Sequence, residues 1–165
     1  MWVLPFLVGS LGCGPDPAYH IEKLKSMDSD VRTKAANALI RFDADVVIPM
    51  LLSESNSVYT RVRFEVVWLL GRFRDHRGIP TLIAALGDRS PNVAARAALA
   101  LGMMRSTEAL SHLLGYVRDP SEVTRQYVLS ALGPCHSYEV VPALSDSAHK
   151  VVLLALEDSK PKWRM

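Results

Sequence analysis

Residues 78–104, GIPTLIAALGDRSPNVAARAALALGMM, decide the fold, because the chain repeats them. Ile79, Leu82, Ile83 and Leu86 fall at i, i+3, i+4 and i+7, an apolar stripe for one short helix. Gly87 and Asp88 interrupt it. Ser90 can cap a second helix, Pro91 is pre-set for its first position, and Val93, Ala97 and Leu101 run along its inner face. Gly102 reads as a left-handed stop. Leu39, Leu70, Leu101 and Leu132 recur at i, i+31, i+62 and i+93, with Gly71, Gly102 and Gly133, all read as helix stops, after three of them. Val31, Val62 and Val93 keep the same spacing, and Val123 arrives one position early. In the first helix of each pair, Ile48, Ile79, Leu110 and Val141 repeat, as do Leu51, Leu82, Leu113 and Leu144. A period of this length built from helix pairs specifies an all-α, right-handed α-solenoid.

Outward from that repeat, the domain spans 19–157, in pairs at about 19–42, 45–73, 78–104, 108–133 and 139–157. Asp28-Ser29-Asp30 caps the second helix of the first pair. Ser53 to Val58 is turn-like, and Pro49 falls near the start of its helix. Asp119-Pro120-Ser121-Glu122 supplies a cap, a proline at the first helical position and an acid at the cap's i+3 position. The fifth pair is degraded; one long helix from Glu139 to Glu157 is the alternative. Residues 158–165 form a basic tail.

Residues 1–18 have another grammar. The uncharged apolar run from Trp2 to Leu11 ends in small residues before Cys13, as in an export signal, and is too short to span a membrane. Ser10-Leu11-Gly12-Cys13 resembles the lipobox of bacterial lipoproteins, in which the cysteine is lipidated. Gly12 and Cys13 fit that pattern. Ser10 stands where a large aliphatic is expected, and the basic n-region is missing. The alternative is an N-terminal cap on the first helix pair. The signal reading places the protein in the cell envelope, periplasmic or outer-membrane and lipid-anchored; without it the expectation is cytoplasmic.

The repeat also resembles the HEAT-like repeats of phycobilin lyases. The resemblance rests on the L-x-x-(A/L)-L-x-D turn at Leu82 to Asp88 and on V-R-x-x-A-A-x-A-L at Val31 to Leu39. It covers about residues 19–157 and implies a fold rather than a reaction. An enzyme or enzyme subunit of the bilin-lyase type is the alternative function it brings.

Chemistry-bearing patterns are sparse. Among the five histidines none pairs with another at i+3 or i+4, so no metal site is expected. The HEAT-repeat deoxyhypusine hydroxylases carry His-Glu dipeptides at several repeats, and this chain has none. There is no glycine-rich phosphate loop and no nucleophile elbow. No catalytic residue and no cofactor is expected. With 19 basic and 17 acidic residues, the charge balance does not suit a dedicated nucleic-acid binder. The Arg61, Arg63, Arg72, Arg74 and Arg77 cluster, which invites comparison with HEAT-like DNA glycosylases, is diluted by Glu65 and Asp75.

What remains is a surface. Second helices line the concave side of such solenoids, where partners bind. The i+31 step along them places Lys34, Glu65, Arg96 and Tyr127 in one row, as an inter-repeat ion ladder or a partner-facing stripe. With Val62 at zero, Phe64 and Trp68 lie at about 200° and 240° around their helix, off the core stripe and beside Arg61 and Glu65. They are expected either to pack on Ala95 and Leu99 or to anchor a protein partner. The candidate partner site is Arg61, Phe64, Glu65, Trp68, Arg96 and Tyr127, on a non-catalytic interaction or scaffold module.

Overall fold

A computed structural model describes residues 16–104, 107–117 and 121–135. Cys13, Asp119, Pro120, the 139–157 segment and the 158–165 tail lie outside them. The described residues form eight α-helices and no strand. These are α1 (Pro17–Lys23), α2 (Ser29–Leu39), α3 (Ala44–Ser53), α4 (Thr60–Phe73), α5 (Ile79–Ala85), α6 (Pro91–Met104), α7 (Thr107–Gly115) and α8 (Glu122–Cys135). A 3-10 turn at His76–Gly78 precedes α5. Odd-numbered helices contact one another in one layer, even-numbered helices in a second, and each pair closes across the two. The result is an all-α solenoid.

The period is written into the even layer. Its helices begin at Ser29, Thr60, Pro91 and Glu122, each at the i+31 position of the one before. Aspartates set one entry in each layer: Asp28 ahead of α2 accepts from the Asp30 N–H and Asp43 ahead of α3 from the Asp45 N–H, both at 2.8 Å. Between the layers, Leu39, Leu70, Leu101 and Leu132 are buried, with Val62 and Val93 earlier on the same helices and Leu51, Leu82 and Leu113 from the odd helices.

Four local expectations are corrected. First, α8 starts at Glu122 rather than Pro120, and the Ser121 hydroxyl accepts from the Thr124 N–H at 3.3 Å. Second, the register holds there without the early step. Thr124 takes the Val93 position and is buried, while Val123 is 42% exposed. Third, Pro49 lies in mid-helix, because Asp43 starts α3 at Ala44. Fourth, Gly71, Gly102 and Gly133 are not stops. They lie inside α4, α6 and α8, and no glycine among the described residues has a positive φ. Arg74, at φ 53°, is the left-handed residue that ends α4.

Two of these glycines work as contact points. A Cβ placed on Gly71 would stand 2.6 Å from the Ala100 Cβ, and one on Gly102 would stand 2.7 Å from both Cα and Cβ of Ala131. In each case a missing side chain on one even helix lets an alanine of the next even helix approach its backbone. The first step lacks the device. By register, Ile40 stands where the glycine would be and Leu69 where the alanine would be. Accordingly α2 and α4 touch far less than α4 and α6 or α6 and α8.

Candidate functional site

Where α2 and α4 stand apart, the even layer holds an open groove of about 210 Å³. Thr33, Ala36 and Asn37 of α2 form one wall, Phe64, Glu65 and Trp68 of α4 the other, and Arg96 of α6 closes the end. Phe64 and Trp68 are half-buried, each with part of its ring against the core. The Arg96 guanidinium lies over the Phe64 ring, 4.3 Å from its centroid. That stacking holds a long side chain in one orientation while leaving its N–H edge free. Among the described residues those N–H groups donate to nothing.

Glu65 sits between two cations. Its carboxylate is 3.8 Å from the Arg32 Nε, too long for a hydrogen bond, and it accepts none among the described residues. Burial pushes its carboxyl above the usual range, against the opposing pull of Arg32 and Arg96. Arg32 explains the loose contact. Its Nη1 donates to the Ser26 and Met27 carbonyls at 3.0 and 2.9 Å, but its buried Nε has no hydrogen-bond partner.

One repeat later the same arginine is fully engaged. Arg63 donates from Nε and Nη2 to the two oxygens of Asp88, at 2.7 and 2.9 Å, and from Nη1 to the Ser57 carbonyl at 2.9 Å. Asp88 also accepts from the Ser90 N–H at 2.8 Å, at the entry to α6. The Arg63 hydrogen bonds hold the Asp88 carboxyl below its ordinary range. The register mate of Asp88 is Ser57, so Arg32 meets no carboxylate there and turns toward Glu65.

The six residues singled out from the sequence divide. Phe64, Glu65, Trp68 and Arg96 line one groove. Arg61 does not: its Nε donates to the Lys25 carbonyl at 3.1 Å and its guanidinium covers the Tyr59 ring. Tyr127, 42% exposed on α8, stands outside it too. In the charge row, Glu65 has Arg32 as its ion partner in place of Lys34. Sequence reasoning passed over Arg32, Thr33 and Asn37. Thr33 and Asn37 stand one period before Phe64 and Trp68, so the repeat itself pointed to them. No group of three metal-ligating side chains occurs among the described residues.

Stacked helix pairs in two layers, stitched at the turns and carrying a groove on the even face, define an α-solenoid repeat protein. The model for HEAT repeats matches residues 48–133, and the chain belongs to that family. No curated protein matches it. Among solved structures it is similar to human deoxyhypusine hydroxylase in complex with glycerol, at 25% identity and a TM-score of 0.62. That match covers 75% of this chain and 44% of the hydroxylase, so the chain spans under half of that protein's length. It is also similar to the complex of CpcE and CpcF of phycocyanin lyase from Nostoc sp. PCC7120. There the identity is 20% and the TM-score 0.67, over 85% of this chain and 97% of that one.

Proposed function

We propose that this HEAT-repeat chain is a non-catalytic protein–protein interaction module, with the groove between α2, α4 and α6 as its partner site. One observation carries the reading: two half-buried aromatic rings line an open groove beside an arginine whose N–H groups are uncommitted. Aromatic and arginine side chains at a partly desolvated site are what binding hot spots are made of. The bilin-lyase alternative draws on fold likeness. We read residues 1–18 as an export and lipid-anchoring signal with Cys13 as the acylated residue, which would hold the module at the cell envelope.

The test uses the full chain as bait in extracts of its own cell. Trp68→Ala should weaken capture of the specific partner about thirtyfold, ~2 kcal/mol. Since Trp68 is only half-buried, unfolding stability should fall by less than the ~3–5 kcal/mol of a fully buried tryptophan. A variant with that full stability loss, and unchanged capture once refolded, refutes the site. A chromophore absorbing in the visible on the purified protein would favour the lyase reading.

A further inference from the structure

We propose that the even-helix face takes an acidic, amphipathic peptide segment, with Arg96 as the carboxylate anchor and Trp68, Leu99 and Met103 as the apolar seat. The inference rests on the interaction-module reading and gives that site's partner its chemistry.

Charge comes first. On α2, α4 and α6 the outward positions carry Lys34, Arg61, Arg72 and Arg96 against two acids, Asp30 and Glu65. Glu65 is balanced by Arg32 at 3.8 Å, so the surplus at the groove is positive and belongs to Arg96. Other arginines here are committed: Arg63 to Asp88, and Arg61 to the Lys25 carbonyl and the Tyr59 ring. Arg96 alone among these three meets the groove with no hydrogen bond of its own among the described residues. Its plane is set by Phe64, and a planar fork with free N–H groups suits a carboxylate in bidentate geometry.

The apolar half follows from the period. Leu99 stands one period after Trp68, and Met103 one helical turn beyond it. Leu99 and Met103 are half-buried and line a second open groove, of about 570 Å³, between α6 and α8. Neighbouring helices lie roughly 8–10 Å apart, so these seats suit apolar side chains three residues apart on a polyproline-II segment, which rises about 3.1 Å per residue and returns to the same face every third residue. A nucleic-acid strand fits less well. Arg96 covers one face of Phe64, which takes that face from base stacking.

The experiment measures anisotropy of fluorescein-labelled peptides on the full chain: Leu-Asp-Asp repeats, their Leu-Ser-Ser and Leu-Lys-Lys counterparts, and a single-stranded oligonucleotide. The acidic peptide should bind at least tenfold more tightly than the Leu-Ser-Ser one, with affinity falling as salt is raised. Arg96→Gln should lose that tenfold while the chain stays folded by circular dichroism, and Arg96→Lys should restore part of it. Equal binding of the Leu-Ser-Ser peptide overturns the acidic partner, as does indifference to Arg96→Gln or tighter binding of the oligonucleotide. If no peptide binds but Trp68-dependent capture of a cellular partner persists, the acidic class alone fails. Loss of both sinks the interaction module as well.

Discussion

Replacing Gly71 by alanine probes how the solenoid is held together. In a helix interior with room for a methyl group, that change gains about 0.8–1 kcal/mol of helix propensity. Here the new Cβ would meet the Ala100 Cβ at 2.6 Å and its Cα at 3.1 Å, well inside van der Waals contact. At 2.6 Å, forcing α4 and α6 apart falls in the upper part of the overpacking range, about 2–3 kcal/mol, so the net effect is a loss of about 1–2 kcal/mol. For a chain of 165 residues that lowers the melting temperature by about 2–8 °C. Ala100→Gly removes the closest contact, so the double variant should be more stable than the two single losses added, by about 1–2 kcal/mol. Gly102→Ala should respond differently. Its Cβ would meet the Ala131 backbone, Cα at 2.7 Å and carbonyl oxygen at 2.9 Å, which Ala131→Gly cannot remove. Urea melts of the four single variants and two doubles are the assay. A Gly71→Ala protein stabilised by about 1 kcal/mol would refute the close approach. Additive single and double losses would refute the Gly71–Ala100 contact as the source of the cost.

Three further outcomes can be measured. Asp88→Asn leaves the buried Arg63 without its counter-charge and should cost about 3–5 kcal/mol at neutral pH. The Asp88 carboxyl is held low in the fold, so its contribution is present above the unfolded value of about 3.8 and disappears as pH falls through the lower folded value; wild type and variant should converge there in pH-dependent melts. Glu65 has the opposite sign: its folded value is raised above 4.5, so its ionisation lowers stability as pH rises. Glu65→Gln should therefore melt at or above wild type at about pH 7 and lose that advantage below about 4.5, and a variant clearly weaker at neutral pH would show that Glu65 is a structural ion. Finally, radiolabelled palmitate should enter the wild-type protein and not Cys13→Ser when expressed in an exporting bacterium, with a mature mass lacking residues 1–12; an unmodified thiol on a full-length product would refute the anchor.

What the sequence determined by itself is the angular part of this protein. Its i+31 recurrence set which side of each helix faces the core, and Leu39, Leu70, Leu101 and Leu132 are buried where it put them. It set the start of α6 at Pro91 but put that of α8 two residues early, and it placed Phe64, Glu65, Trp68 and Arg96 off the core stripe, where they line one groove. Distances between helices were not in it. Gly71 read as a stop because helix-end rules see only the next few positions, whereas its partner Ala100 belongs to the next even helix. The Arg63–Asp88 fork joins α4 to the turn before α6, across 25 residues, a pairing no local spacing announces. Arg61 and Tyr127 share the stripe's angle yet stand outside the groove, while Thr33 and Asn37 complete it from across the gap. That gap exists because Ile40 and Leu69 occupy the positions where glycine and alanine bring later helices together. A groove is a separation between two backbones, and only the tertiary packing of small against large side chains decides how wide it is.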